Sequence, residues 1–187
     1  MSLPTTQVTG QTTAIPGLLI FNVTKVGDSR GYFQEKFQRE KLIAAGLPED
    51  FVIVQNNVSF NQAAGATRGL HAEPWEKYVS IVNGRAFCAW VDLRKGVSFG
   101  SIVTAEVDEE TTVFVPRGVA NGYQALSEDT LYSYLVSDHW SVDGNYQSVN
   151  LFDPALHISW PLPREQAIIS EKDLANPLLT DITPMEF

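Results

Sequence analysis

The segment Arg68-Gly69-Leu70-His71-Ala72-Glu73-Pro74-Trp75-Glu76-Lys77-Tyr78 places one histidine between two cations. An imidazole changes charge near neutral pH, so it can take or give a proton there as a general base or acid. A histidine met alone in a strand is more often a core residue with satisfied hydrogen bonds; the flanking Arg68 and Lys77 favour a site. Three more segments carry polar or aromatic groups fit for the same chemistry: Pro116-Arg117-Gly118-Val119-Ala120-Asn121-Gly122-Tyr123, Leu131-Tyr132-Ser133-Tyr134-Leu135-Val136 and Ile169-Ser170-Glu171-Lys172-Asp173. Tyr132 and Tyr134 share one face of a strand at period two, and spacing alone does not choose between them. Asp173 reads equally well as first-turn helix polarity behind an N-cap at Ser170. Arg30 also fits a solvated turn, and Trp75, Trp90 and Trp160 fit packing.

Other chemistries find little support. Only three histidines occur, His71, His139 and His157, so a three-histidine metal site would need them all. The one cysteine, Cys88, excludes an intrachain disulfide and sits in the apolar run Ala86-Phe87-Cys88-Ala89-Trp90, where it reads as a small buried hydrophobe. Thirteen Lys and Arg against 22 Asp and Glu give a net charge of −9. That balance argues against nucleic acid and against an anionic membrane surface as partners. No run approaches the ~20 apolar residues of a membrane helix. The N-terminus lacks a basic-then-apolar leader pattern, so a soluble, cytoplasmic protein is expected.

The elements that must position these groups are mostly strands. The 187 residues with 44% hydrophobic content fit one globular domain. Residues 1–14 read as a polar tail and 15–187 as the domain. Leu18–Val23, Phe51–Val54, Tyr78–Val82, Arg85–Val91, Ser101–Val107 and Thr111–Val115 are short, β-branched or alternating. Asn83-Gly84 between two such runs predicts a hairpin. Phe37–Ala45, stopped by Gly46, predicts the one helix of the first half, and Glu171–Ala175 a helical turn. The expectation is a β-sandwich or barrel with a helical edge.

Further motifs recur in order: Asp28-Ser29-Arg30-Gly31-Tyr32-Phe33, Gln55-Asn56-Asn57-Val58-Ser59, Val91-Asp92-Leu93-Arg94, Ser98-Phe99-Gly100 and Ile158-Ser159-Trp160-Pro161. With the Arg-Gly-Leu-His and Ser-x-Lys-Asp motifs, they make the chain, from Ile15 to Leu179, resemble the dTDP-4-dehydrorhamnose 3,5-epimerases, jelly-roll proteins of the cupin superfamily. The resemblance implies an all-β, cupin-type jelly-roll with a few short peripheral helices. It implies inversion of C3 and C5 of dTDP-4-dehydro-6-deoxy-D-glucose, giving dTDP-4-dehydro-L-rhamnose. By similarity of position, His71 is the base, Asp173 its orienting carboxylate, Lys77 the cation for the enolate oxygen and Tyr134 the acid on the opposite face. Arg30 and Arg68 correspond to pyrophosphate partners, and Glu35, Gln55, Asn57, Asn121 and Trp140 to other substrate contacts. The family is dimeric, so a homodimer is expected.

The resemblance implies no cofactor and no metal. Glu73 and Asn121 stand where metal-binding cupins carry histidines, and the short Glu-Pro-Trp-Glu loop marks a subgroup. Rival readings are an epimerase acting at C3 only or on another nucleotide sugar, and a non-catalytic sugar-binding cupin. With Arg30, Arg68 and Lys77 inside the motifs, the pocket is expected to be locally positive.

Overall fold

The computed structural model describes residues 5–187. In chain order its strands are β1 (Val8–Thr12), β2 (Leu19–Val23), β3 (Val26–Asp28), β4 (Gly31–Phe33), β5 (Gln55–Asn61), β6 (Thr67–Ala72), β7 (Lys77–Asn83), β8 (Ala86–Asp92), β9 (Ile102–Val107), β10 (Thr111–Val115), β11 (Val119–Ala125), β12 (Thr130–Val136) and β13 (Gln147–Ser148). The helices are α1 (Arg39–Ala44) and α2 (Glu171–Leu174). A six-stranded sheet, β1-β2-β10-β7-β12-β5, faces a five-stranded one, β13-β6-β11-β8-β9, and β3-β4 form a separate hairpin. This is the expected jelly-roll. Among the described residues, no helix is long and apolar enough to cross a membrane.

Strand alternation divides the apolar side chains. Val79 and Ile81 of β7 meet Cys88 and Trp90 of β8 in the core between the sheets. Tyr78, one residue out of phase, packs instead with Leu42 of α1 on the outer face of the six-stranded sheet. Ala89 and Val91 leave β8 on its other side, beneath Leu151 and Leu156 of the C-terminal segment. Cys88 is fully buried, and burial pushes its thiol pKa up, as a structural rather than nucleophilic cysteine requires.

Three local expectations change. The stretch read as a polar tail contains β1, which pairs with β2 at the sheet edge; residues 1–4 lie outside the described residues. Phe51–Val54 is not a strand: Phe51 turns into the α1 cluster, and pairing with β12 begins at Gln55. Asn83-Gly84 does not close a hairpin. β7 is flanked by β10 and β12 and β8 by β11 and β9, so this turn carries the chain from one sheet to the other. Gly84 supplies the φ of +86° that the turn needs.

One irregularity positions the site. Asn121 of β11 stands opposite His71 of β6, but Tyr123 stands opposite Arg68. Two residues of β6, Gly69 and Leu70, therefore face the single Gly122 of β11, a β-bulge. In a regular strand Arg68 and His71, three apart, would face opposite ways; the bulge turns both to one side, and Leu70 is buried on the other. The bulge needs bare backbone. A Cβ on Gly69 would lie 2.5 Å from the Cα of Gly122, and the residue holds φ of +119°. Gly69→Ala should therefore lower stability by on the order of 3 kcal/mol. A urea unfolding midpoint equal to that of the parent would refute this account of the bulge.

Candidate active site

His71 and Asp173 meet at 2.7 Å, Nε2 to Oδ1. Asp173 comes from α2, where Ser170 accepts the Asp173 N–H at 3.1 Å and so caps the helix. The helix is tied to the bulge from two directions: the Gly69 N–H points to Asp173 Oδ2 at 3.4 Å, and Asn176 Nδ2 donates to the Gly69 carbonyl at 3.2 Å. An ionised carboxylate only accepts, so the neutral imidazole tautomer that fits this contact carries its proton on Nε2 and its lone pair on Nδ1. Asp173 is 7% exposed and the imidazole 38%, so the pair has a buried anchor and an accessible working end.

His71 borders a cavity of about 230 Å³ together with Arg68, Lys77, Asn121, Tyr134 and Asp173. Six expected site residues are thus brought together. His71 and Asn121 lie on the five-stranded sheet, Lys77 and Tyr134 on the six-stranded sheet, so the two sheets form facing walls. A second cavity, about 470 Å³, shares His71, Glu73 and Tyr134 with the first and adds the expected Gln55, Asn57 and Trp140. Gln55 donates to Asn57 at 2.7 Å and its own oxygen meets His139 Nδ1 at 3.0 Å, so three side chains hold one another in place. Trp140 lies parallel to Tyr146 at 6.3 Å, and Trp75, expected only to pack, also borders this second cavity.

Two expected residues are not brought in. Arg30 is exposed beyond β3 and pairs with Asp28, while Glu35 is held in an ion pair by Lys41. Neither borders either cavity within the chain. The local charge expectation also changes. Arg68 and Lys77 in the first cavity are matched by Glu73 and Asp173, and Lys172 in the second by Asp138. The site is charge-balanced rather than positive.

The tyrosines separate cleanly. Asn121 and Tyr132 exchange hydrogen bonds at 3.0 and 3.2 Å, and Tyr132 stacks on Tyr123 with ring centroids 4.0 Å apart. Its hydroxyl is committed. Among the described residues, the Tyr134 hydroxyl has no hydrogen-bond partner, and burial, then the charge of Glu73, raise its pKa while Arg68 opposes. It remains a protonated donor at neutral pH. Asn61, buried at the end of β5, accepts from Arg68 Nε at 3.2 Å and from Tyr123 at 3.1 Å. Sequence reasoning missed Asn61, Tyr123 and Glu73. For Asn61 the strand parity was readable, since Asn57, Ser59 and Asn61 alternate with exposed neighbours on β5; Glu73 lies off the strands and Tyr123 on a β11 buried throughout, where alternation gives no signal.

Known proteins agree with this architecture. The family model for dTDP-4-dehydrorhamnose 3,5-epimerase matches residues 12–181. A protein named RmlC homolog from Streptococcus pyogenes is 48% identical over 178 residues, covering 92% of this chain and 89% of its own. The structure of RmlC from Streptococcus suis in complex with dTDP-D-xylose superposes with a TM-score of 0.91 at 44% identity, covering 97% and 96% of the two chains. The dTDP-6-deoxy-D-glucose-3,5-epimerase RmlC from Legionella pneumophila, in complex with dTDP-4-keto-L-rhamnose, gives 0.84 at 32% identity, covering 95% of each. With a match across nearly its whole length and the same fold, the chain belongs to the dTDP-4-dehydrorhamnose 3,5-epimerase family.

Proposed function

We propose that the protein inverts C3 and C5 of dTDP-4-dehydro-6-deoxy-D-glucose to give dTDP-4-dehydro-L-rhamnose. The observation that carries this is the placement of His71 and Tyr134 on facing sheets across one cavity. The C4 carbonyl acidifies the protons on C3 and C5. His71 Nδ1 takes one, its electron pair moves onto the C4 oxygen, and the imidazolium forms against Asp173. The Lys77 ammonium meets the enolate oxygen, a charge that exists only once the proton has left. Tyr134 then delivers a proton from the other wall; solvent restores the phenol and takes the proton from the imidazolium, and the same cycle runs at the second carbon. No electrons leave the substrate, so the chemistry calls for no redox partner. The nucleotide extends into the second cavity, with its base along Trp140 and Tyr146.

Incubation with this substrate in deuterated water, read by NMR, tests the assignment. Both C3 and C5 should take up deuterium, because each enolisation exchanges its own proton. Label at C3 alone would demote the protein to a single-site epimerase, and label at neither would end the epimerase reading. His71→Ala should lower exchange at both carbons by on the order of 10²–10⁴-fold while leaving dTDP affinity nearly unchanged. Near-normal turnover in that variant would remove His71 as the base. Tyr134→Phe should depress net inversion more than exchange; equal loss of both would contradict the division of roles.

We infer a homodimer as the working form. The β3-β4 hairpin exposes Tyr32 and Phe33, and β5 is a sheet edge whose outer face shows Val58 and Phe60. A diphosphate entering a charge-balanced cleft needs further cations, and the exposed Arg30 could supply one only from a second copy. Sedimentation should find two chains per particle, and Arg30→Ala should weaken dTDP binding. A monomer with parental activity would dispose of this inference. A cytoplasmic location fits the nucleotide-linked substrate and the single unpaired cysteine.

A further inference from the structure

Among the described residues, Glu73 is the one carboxylate that borders both cavities. It lies two residues beyond His71, past the end of β6, and its carboxylate forms an ion pair with Lys77, which opens β7. Both side chains are largely buried, at 19% and 7% exposure. The loop between them is fixed at both ends: the Glu73 carbonyl accepts the Gly118 N–H at 2.9 Å, and the Glu76 N–H donates to Ser137 at 3.0 Å. Neither member of the pair has slack in its backbone.

A buried ammonium needs a counter-charge to stay in place. It also has three N–H donors, so engaging one carboxylate leaves others free for a second oxygen. We propose that Glu73 is a positioning residue for the reaction: its carboxylate anchors the Lys77 ammonium against the first cavity, so that the remaining N–H groups meet the C4 oxygen as the enolate forms. This rests on the epimerase reading given above. The same carboxylate serves the proton donor on the same sheet as Lys77, because its charge disfavours ionisation of the Tyr134 phenol and so keeps the donor loaded. Glu73 itself transfers no proton. Its presence explains how a site can hold a buried cation for the enolate without becoming a general anion trap.

The test is Glu73→Gln, which keeps the shape and removes the charge, beside Glu73→Asp, which keeps the charge on a shorter arm. For Glu73→Gln the expected result is a fall of about tenfold in kcat, as for loss of an interaction made in the transition state, with KM and dTDP affinity held within about twofold. Glu73→Asp should recover part of the loss and unfold near the parent; Glu73→Gln, which leaves a buried ammonium without its counter-charge, should unfold earlier, so kcat is read at a temperature where every variant is fully folded. A normal kcat in Glu73→Gln would overturn the proposal. So would a loss that tracks KM or dTDP affinity, or one that Glu73→Asp does not relieve, since those mark a structural role. His71→Ala run in the same assay separates the two failures. If it is inactive while Glu73→Gln is normal, only the role of Glu73 falls; if His71→Ala stays active, the assignment of the base falls with it.

Discussion

The bulge in β6 is the constraint on which the site depends. A strand offers side chains to one face at every second position, and Arg68 and His71 do not satisfy that spacing. The extra residue at Gly69-Leu70 restores them to a common cavity, and it is possible only because Gly69 and Gly122 let two backbones approach closely. The same glycine is the contact point for the C-terminal segment. Its N–H faces Asp173 and its carbonyl accepts from Asn176, so one distortion both aims the imidazole and receives the carboxylate that orients it. A partner 102 residues away in sequence is thereby fixed to within a hydrogen bond of His71.

The fold was legible where side-chain alternation is strong. β7, β8, β9 and β10 lie close to their apolar runs, because each run buries one face in the shared core. It was illegible where two topologies use the same turn. Asn83-Gly84 has the chemistry of a hairpin, but a jelly-roll already surrounds β7 and β8 with other partners, and local sequence carries no record of that competition. β1 was hidden for a similar reason. Its residues are mostly exposed and polar, and it holds its place by backbone pairing along one edge rather than by burial.

In the site, motif residues on the strands of the sandwich came together, and residues on the projecting hairpin did not. Arg68, His71, Lys77, Asn121 and Tyr134 all sit on paired strands whose facing walls form the first cavity. Arg30 and Glu35 lie on or just after the hairpin, which belongs to neither sheet, so nothing within the chain directs them inward. Tyr132 and Tyr134 show the limit of parity most clearly. Both point between the sheets, and only the hydrogen bonds to Asn121 distinguish a locked phenol from a free one. That distinction is made by residues on another strand, not by spacing along β12.

The pairing of charges in the cavity suits the proposed chemistry better than the positive pocket expected from the motifs. A surplus of cations would attract phosphate in substrate, product and free nucleotide alike, which tightens binding without lowering the barrier. Here Arg68 and Lys77 share the first cavity with Glu73 and Asp173, Lys77 directly paired with Glu73 and Arg68 held by the neutral Asn61, so opposite charges offset one another and the resting field is small at long range. In the proposed reaction the charges arise as a pair as well: imidazolium at His71 and enolate oxygen on the sugar. Asp173 is already placed against the first, and Lys77, held by Glu73, lies on the opposing sheet for the second. Dipoles and charges fixed in advance need no reorganisation when the proton moves. On the proposed mechanism the balanced site therefore directs its stabilisation to the transition state, where the opposite charges separate and each meets a group of the right sign.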